Sequence, residues 1–117
     1  MKRFNFDIED VFFLKFEGVF YPVSIYQIKW VITKGNHCTL FIEDDKNYVF
    51  RSSLAALLRT LSLHANSFVQ THRNYIINCN KIDFYDPNGF VVIDGEEIPV
   101  SKNFKKEFEE KIKIFKT

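Results

Sequence analysis

Short runs of β-branched and aromatic residues, separated by turn-forming residues, dominate the chain and restrict it to a β-rich fold. The runs DVFFLKFEG, VFYPVSIYQIKWVITKG, HCTLFIE and NYVFRS are dense in residues that suit the pleated surface of a sheet. A glycine ends each of the first two runs, and DDK separates the last two as the turn of a predicted hairpin. Within SIYQIKWVI, the alternation of Tyr26, Ile28, Trp30 and Ile32 with other residues predicts a strand with one wholly apolar face.

The hydrophobic spacing changes to that of a helix in two places. SLAALLRTL carries leucines at helical spacing, and Ser53 is placed as its N-cap. The tail KNFKKEFEEKIKIFK forms one apolar helical face, with Ser101 placed to cap it; the members of that face are Phe104, Phe108, Ile112 and Phe115. Between the two helices, the turns DPNG and DG separate the predicted strands IDFY, FVVI and IPVS. The pattern predicts a mostly β domain with one short internal helix and a C-terminal helix or helical tail.

Length and composition indicate one globular domain over residues 1–117. A chain of 117 residues with 46% hydrophobic residues buries enough surface for a core without metal or disulfide staples. The apolar runs are far shorter than the ~18 residues that a membrane-spanning helix needs. The start, MKRFNFDIED, lacks the apolar centre of a secretory signal. No membrane partner is expected.

Cysteine and histidine positions argue against a metal centre or an enzyme. Cys38 and Cys79 form no close pair, so two free thiols and a cytoplasmic location are expected. His37 and Cys38 are adjacent and point to opposite faces of a strand. A zinc site built from His37, Cys38, His72 and Cys79 would have no recognisable ligand spacing. The chain contains no nucleophile elbow, glycine-rich phosphate loop or HExxH. No enzymatic activity and no cofactor are predicted.

Charge confines any anion-binding surface to a local patch. The formal net charge is +1, with 16 Lys and Arg against 15 Asp and Glu, which is too balanced for binding nucleic acid through bulk charge. The distribution is uneven, however, because residues 70–81 contain two cations and no acid.

The stretch FVQTHRNYIINCNKI places strong hydrogen-bonding side chains inside an apolar run. Either these side chains tie the fold together from inside, or the apolar residues anchor them so that they face a partner. His72 and Asn78 are interpreted as structural, because they lie beside the apolar anchors. Arg73 and Lys102 are solvated surface charges on composition alone.

Two segments carry a resemblance to the LytTR DNA-binding domain family. FVQTHRNYIINCNKI resembles the family's pattern of Phe, His-Arg-Ser-Tyr, two aliphatic residues and Asn, and IPVSKNF resembles its Pro-Val-Ser-Arg segment. The resemblance covers residues 12–108, and SIYQIKWVITKGNHCTLFI is similar to the family's first strands. It implies elongated antiparallel β-sheets that approach double-stranded DNA with loops and strand ends and contact successive major grooves.

Carried over by position, the resemblance implies a set of DNA contacts. The base contacts implied are His37, Arg73 and Lys102. The implied backbone contacts are Asn74, Ser101, Asn103 and Lys105. The family usually has arginine where this chain has Lys102, and a lysine offers a point charge instead of a planar fork.

The sequence therefore predicts a sequence-specific DNA-binding transcription regulator of bacterial type, acting at paired sites with a second copy. Many family members also carry a receiver domain or a membrane segment, so a stand-alone regulator and the output domain of a larger one both fit. The alternative is a β-rich protein-interaction or ligand-binding domain without DNA binding. A basic surface shared by the three implied base contacts would favour the first prediction, and an open pocket lined by Phe and Tyr the second.

Overall fold

The computed structural model describes residues 11–114. Ten strands and two helices follow in chain order: β1 (Val11–Phe16), β2 (Val19–Ser24), β3 (Ile28–Lys34), β4 (His37–Ile42), β5 (Lys46–Arg51), α1 (Leu54–His64), β6 (Phe68–His72), β7 (Tyr75–Asn78), β8 (Phe84–Asp86), β9 (Phe90–Ile93), β10 (Glu96–Pro99) and α2 (Lys102–Ile112). The molecule is elongated, with extents of 50 × 33 × 26 Å. The predicted mostly β fold, with one internal helix and one C-terminal helix, is confirmed.

The strands form three antiparallel sheets, of which the central one positions the candidate site. Its five strands lie in the order β5-β4-β3-β7-β6. β1 pairs with β2, and a third sheet has the order β10-β9-β8. The hairpin predicted around DDK is confirmed as β4 and β5, and left-handed backbone at Asp44 and Asp45 closes its turn. The strand predicted at FVVI is confirmed as β9 with the same bounds, and those at IDFY and IPVS are confirmed as β8 and β10 with bounds shifted by one or two residues.

The continuous strand predicted through SIYQIKWVI is wrong in its first half. The Ser24 hydroxyl accepts a hydrogen bond from the Tyr26 backbone N–H at 3.3 Å, and Ile25–Gln27 form one turn of 3-10 helix. β3 therefore begins only at Ile28, and a register shift follows between Ile28 and Trp30. The alternation is also lost, because four consecutive residues at the start of β3 are buried. A strand with both faces covered needs no polar face.

Each face of the central sheet carries a hydrophobic cluster closed by one helix. The α1 cluster lies beneath β1, β2 and α1 and comprises Leu14, Val23, Ile25, Ile28, Val31, Cys38, Leu40, Ile42, Leu54, Leu57, Leu61, Phe68 and Ile76. The α2 cluster lies beneath β9, β10 and α2 and comprises Trp30, Val69, Ile77, Val91, Ile93, Ile98, Val100 and Phe108. The two helices are thus anchored to opposite faces.

The two helices differ in how their first turns are closed. Ser53 is the N-cap of α1, and its hydroxyl accepts a hydrogen bond from the Ala56 N–H at 3.1 Å, as predicted. Ser101 occupies the same position before α2 but makes no capping hydrogen bond through its side chain, so that prediction is wrong. Its backbone is used instead: the Ser101 N–H donates to the Thr71 carbonyl of β6 at 2.9 Å.

The predicted apolar face of the tail is confirmed within the described residues. Phe108 is fully buried in the α2 cluster, and Phe104 and Ile112 are half-buried one turn away on either side. Phe115 lies outside the described residues. Burial of one phenylalanine side chain stabilises the fold by about 1.5–3 kcal/mol, so Phe108 is the principal anchor that holds α2 against the sheet.

Candidate nucleic-acid interface

Three strand ends meet at one end of the central sheet. Lys34 is paired with His37 across the β3–β4 turn, and His37 is paired with Arg51 at the end of β5. The β6–β7 turn joins them, because the Thr33 N–H donates to the Asn74 carbonyl at 2.8 Å. These backbone contacts bring together residues that are up to 41 positions apart in sequence.

The start of α2 joins the same end of the sheet. The hydrogen bond from Ser101 to Thr71 fixes the chain two residues before Arg73, and Lys102 begins the helix directly afterwards. The His37, Arg73 and Lys102 backbones are therefore carried by neighbouring segments. We call this region, comprising residues 33–37, 51–53, 71–75 and 101–106, the basic end.

His37 is held by the tight turn between β3 and β4. Gly35 has a φ of +63°, which a glycine adopts without strain at the first central position of a two-residue hairpin turn. The Thr33 hydroxyl donates to the His37 carbonyl at 3.2 Å and closes the turn from the side. The His37 side chain is exposed and Cys38 is fully buried, which confirms that the two point to opposite faces.

The stretch FVQTHRNYIINCNKI forms a hairpin whose tip carries Arg73 and Asn74. His72 is structural: its Nδ1 accepts a hydrogen bond from the Asn74 N–H at 3.1 Å, and its ring meets Tyr75 edge-on at 5.6 Å. The Gln70 amide donates to the His72 carbonyl at 3.1 Å. Arg73 is exposed at the tip of this braced turn, and Asn74 is half-buried.

Asn78 is structural, as its position in the sequence predicted. Its side chain is 2% exposed. The amide nitrogen donates to the Ile28 carbonyl at 2.9 Å, and the amide oxygen accepts from the Asn80 N–H at 3.1 Å. These bonds satisfy a backbone carbonyl at the point where β3 begins, so this side chain supports the sheet and not a partner.

The first turn of α2 presents polar and positively charged groups that would attract an anion. Lys102 and Asn103 are exposed, and Ser101 and Lys105 are half-buried. No acid lies in this turn, and the Ser101 side chain leaves the helix N–H groups uncapped. A helix N-terminus carries partial positive charge, which adds to that of the two lysines.

The basic end is uniformly cationic. Its four segments contain Lys34, Arg51, Arg73, Lys102, Lys105 and Lys106, and no Asp or Glu. Lys34 and Arg51 were not among the residues predicted from the sequence. The observed register, which is centred on Asp44, is what places Arg51 opposite His37.

The opposite end of the sheet is acidic. Residues 43–47 and 94–97, which we call the acidic end, contain six acids and one lysine. A groove of about 480 Å³ begins there, is lined by Asp45, Glu96 and Glu97, and extends along the sheet to Tyr75. Trp30 and Phe41 stack in its wall with ring centroids 4.7 Å apart.

Ion pairing is confined to the acidic end among the described residues. The 9% exposed side chain of Lys29 donates to the Asp94 carboxylate at 2.8 Å. Lys81 pairs with Glu43 beside the β4–β5 turn. Within residues 11–114, neither of these ion pairs involves a cation of the basic end.

Both cysteines are free thiols in protected surroundings. Cys38 is buried, and burial raises the pKa of its thiol. Burial raises the pKa of the half-buried Cys79 thiol to about 11, although the positive charge of Lys111 opposes the change. No group of three or more His, Cys, Asp or Glu side chains in residues 11–114 is arranged to hold a metal ion. No helix in this range is long and apolar enough to cross a membrane.

Comparisons with known proteins agree with the geometry. A family model described as the LytTr DNA-binding domain matches residues 18–113. The chain is 32% identical over 101 residues to the Sensory transduction protein LytT of Enterococcus faecalis (strain ATCC 700802 / V583), a match that covers 82% of this chain and 40% of that protein. The fold is similar to that of a solved LytTr DNA-binding domain from Bacillus cereus, with a TM-score of 0.76 and 24% identity over 90% of this chain and 98% of that one.

Proposed function

The chain belongs to the LytTR DNA-binding domain family, and on this premise we propose that its basic end binds double-stranded DNA at specific sequences to regulate transcription. The observation that carries the proposal is the convergence of six cations and no acid on one end of the sheet. Phosphate binding needs such a local positive surface when the net charge of a protein is close to zero.

We assign base recognition to side chains that project from braced turns. Arg73 stands at the tip of a hairpin held by His72 and Tyr75, so little backbone freedom is lost when it binds. Its planar fork matches the O6 and N7 acceptors of guanine. His37 and Lys102 project from the two neighbouring segments and contact bases in successive major grooves.

We assign phosphate binding to the α2 N-terminus and the adjacent turn. Ser101, Asn103 and Lys105 lie in or just before the first turn of α2, where uncapped N–H groups favour an anion. Asn74 lies beside Arg73. Its backbone N–H donates to His72, and its carbonyl accepts from the Thr33 N–H. These contacts orient the domain on the duplex without reading its sequence.

We further propose that two copies occupy paired sites. A single domain with this few cations makes few phosphate contacts, and a second copy on the same face of the duplex doubles them. The chain spans about 40% of the length of the curated relative that it matches.

Selection from a randomised duplex pool followed by a gel shift tests the proposal. We expect enrichment of a motif with two half-sites and binding of the selected duplex at least 10³-fold tighter than of random DNA, the lower end of the usual range. Enrichment of no motif, with equal affinity for all duplexes, would contradict sequence-specific binding.

Salt dependence tests the phosphate contacts. Each contact contributes a slope of about −0.9 to the plot of log affinity against log salt, and we expect a total of about −3 to −6 for one domain. A titration of the selected duplex between 50 and 200 mM salt measures it. Affinity that does not change over this range would exclude the basic end as the binding surface.

The groove at the acidic end is the observation that favours the alternative function of ligand or protein binding. Its wall includes Trp30, Phe41 and Tyr75, as an aromatic binding pocket would. Four acids line it, however, and Lys29 and Asp94 already pair within it. Among the described residues, no cation of the basic end belongs to an ion pair, so the basic end is the better candidate for the functional surface.

A further inference from the structure

Three side chains form a row across the basic end. Directly paired residues of antiparallel strands project to the same face, so the register places Lys34, His37 and Arg51 side by side on β3, β4 and β5. For Lys34 and His37 this is the face that carries Trp30, Phe41 and α2, and therefore also the face on which Lys102 begins its helix. Arg51 lies on the edge strand of the sheet and also borders a groove beside α1. Adjacent strands are about 4.8 Å apart, so the row spans about 10 Å from Lys34 to Arg51.

The row is rigid because neighbouring segments are fastened to each other. The Ser52 N–H donates to the Asn36 carbonyl at 3.2 Å, which holds the end of β5 against the β3–β4 turn. On the other face of the sheet, the Cys38 thiol lies 3.4 Å from the Ser52 carbonyl and donates to it. The three side chains thus leave the sheet from fixed positions.

The two outer cations of the row belong to neither of the ion pairs described within residues 11–114. Lys34, His37 and Arg51 are all exposed. Two exposed cations about 10 Å apart are placed to bind two separate phosphates.

We propose that Lys34 and Arg51 bind phosphates on the two walls of the major groove whose base edges His37 faces. This inference rests on the proposed DNA binding and extends it to two residues. The major groove is about 12 Å wide, close to the span of the row, and the side chains of lysine and arginine reach further than that of histidine. The outer residues therefore meet the groove walls while the central one faces the groove floor.

Arg51→Ala tests the assignment, with Arg51→Lys and Arg59→Ala as controls. Arg59 is an equally exposed arginine on α1, which packs on the opposite face of the sheet. Loss of one phosphate contact should weaken binding to the selected duplex and to its single-base variants by the same factor. Discrimination at the base pair that His37 contacts should stay unchanged. Arg51→Lys should retain most of the affinity, because a phosphate accepts a point charge, and Arg59→Ala should bind as the wild type does.

The salt titration distinguishes a phosphate contact of Arg51 from a base contact. Arg51→Ala should reduce the steepness of the log–log slope by about 0.9, so that the affinity ratio between wild type and variant falls about threefold between 50 and 200 mM salt. Wild-type affinity and slope in Arg51→Ala would overturn the inference while leaving the proposed function intact. A loss confined to one base position would overturn it too, because Arg51 would then read a base. If the wild-type chain bound no duplex from the pool, the proposed function would fail first.

Discussion

The two ends of the central sheet differ in whether their cations form ion pairs with acids. At the acidic end, Lys29 pairs with Asp94 and Lys81 pairs with Glu43, so cations there serve the fold. At the basic end, six cations converge without an acid in the same segments. A net charge of +1 thus conceals two surfaces of opposite sign, and only one of them suits a polyanion.

The separation between the ends lets them act independently. β4 runs from His37 to Ile42, which places its two ends about 17 Å apart at about 3.4 Å per residue. The Debye length at physiological salt is about 8 Å, so charge at one end is largely screened from the other. Changes at the basic end should therefore alter DNA binding strongly, and changes at the acidic end should alter it little at physiological salt.

Arg73→Ala should have the largest effect on binding. We expect a loss of about 1–3 kcal/mol on the selected duplex and a much smaller loss on random DNA, because a guanine contact is lost. The free energy of unfolding should change by less than ~0.5 kcal/mol, since the side chain is exposed. Fluorescence anisotropy and thermal denaturation measure the two quantities.

Lys46→Ala at the acidic end is the matched control for Arg73→Ala. Lys46 is also an exposed cation beside a hairpin turn, and its loss should leave DNA affinity unchanged. A large loss of stability in Arg73→Ala would show that its side chain supports the fold, and the contact assignment would be wrong.

Lys102→Arg restores the family's usual residue and should strengthen one contact. A lysine cannot satisfy both guanine acceptors, whereas an arginine does so with its fork. We expect tighter binding by about 1 kcal/mol on duplexes with guanine at the matching position and little change on random DNA. Titration of the selected duplex and its single-base variants measures the difference.

Equal strengthening on every duplex would assign Lys102 to a phosphate. If Lys102→Ala binds all duplexes as the wild type does, the residue does not belong to the interface.

Substitutions of the serines that precede the two helices should distinguish an effect on stability from an effect on DNA binding. Ser53→Ala removes the hydrogen bond to Ala56 and should cost about 1 kcal/mol of unfolding free energy without changing DNA affinity. Ser101→Ala removes no capping hydrogen bond, so it should cost only a few tenths of a kcal/mol in stability and about 0.5–1.5 kcal/mol in DNA binding. Denaturant unfolding and anisotropy titrations on the same samples provide the test. The reverse pattern would mean that Ser101 serves the helix and not the ligand.

Neutralising two acids of the acidic end should have the smallest effect on DNA affinity. Glu96→Gln with Glu97→Gln removes two negative charges, and screening should limit the gain in DNA affinity to about 0.3 kcal/mol at physiological salt. The gain should grow at low salt. A large, sequence-dependent change would show that the acidic end touches DNA.

Local patterns were sufficient to predict most of the fold. The α1 helix followed from leucine spacing and the Ser53 cap, and the β4–β5 hairpin from its DDK turn. Burial of Lys29 could not be predicted, because its partner Asp94 lies 65 residues away in the sequence. The 3-10 turn at Ile25–Gln27 was not predicted, because the alternating residues there are also typical of a continuous strand.

The candidate site was predictable only in part. The resemblance supplied His37, Arg73 and Lys102, and the structure shows that their backbones lie on neighbouring segments. Lys34 and Arg51 were missed because their relevance appears only when strand register is combined with the position of His37. Ser101 occupies the N-cap position without a capping side-chain bond, and its backbone bond to Thr71 is a tertiary contact that no local pattern reveals.

Backbone amide chemical shifts, recorded by NMR with and without the selected duplex, locate the DNA-binding surface. If the basic end binds DNA, large changes should occur at residues 33–37, 51–53, 71–75 and 101–106, with residues 43–47 and 94–97 unaffected. Changes centred on the acidic end, with the amides of His37, Arg73 and Lys102 unmoved, would contradict binding at the basic end.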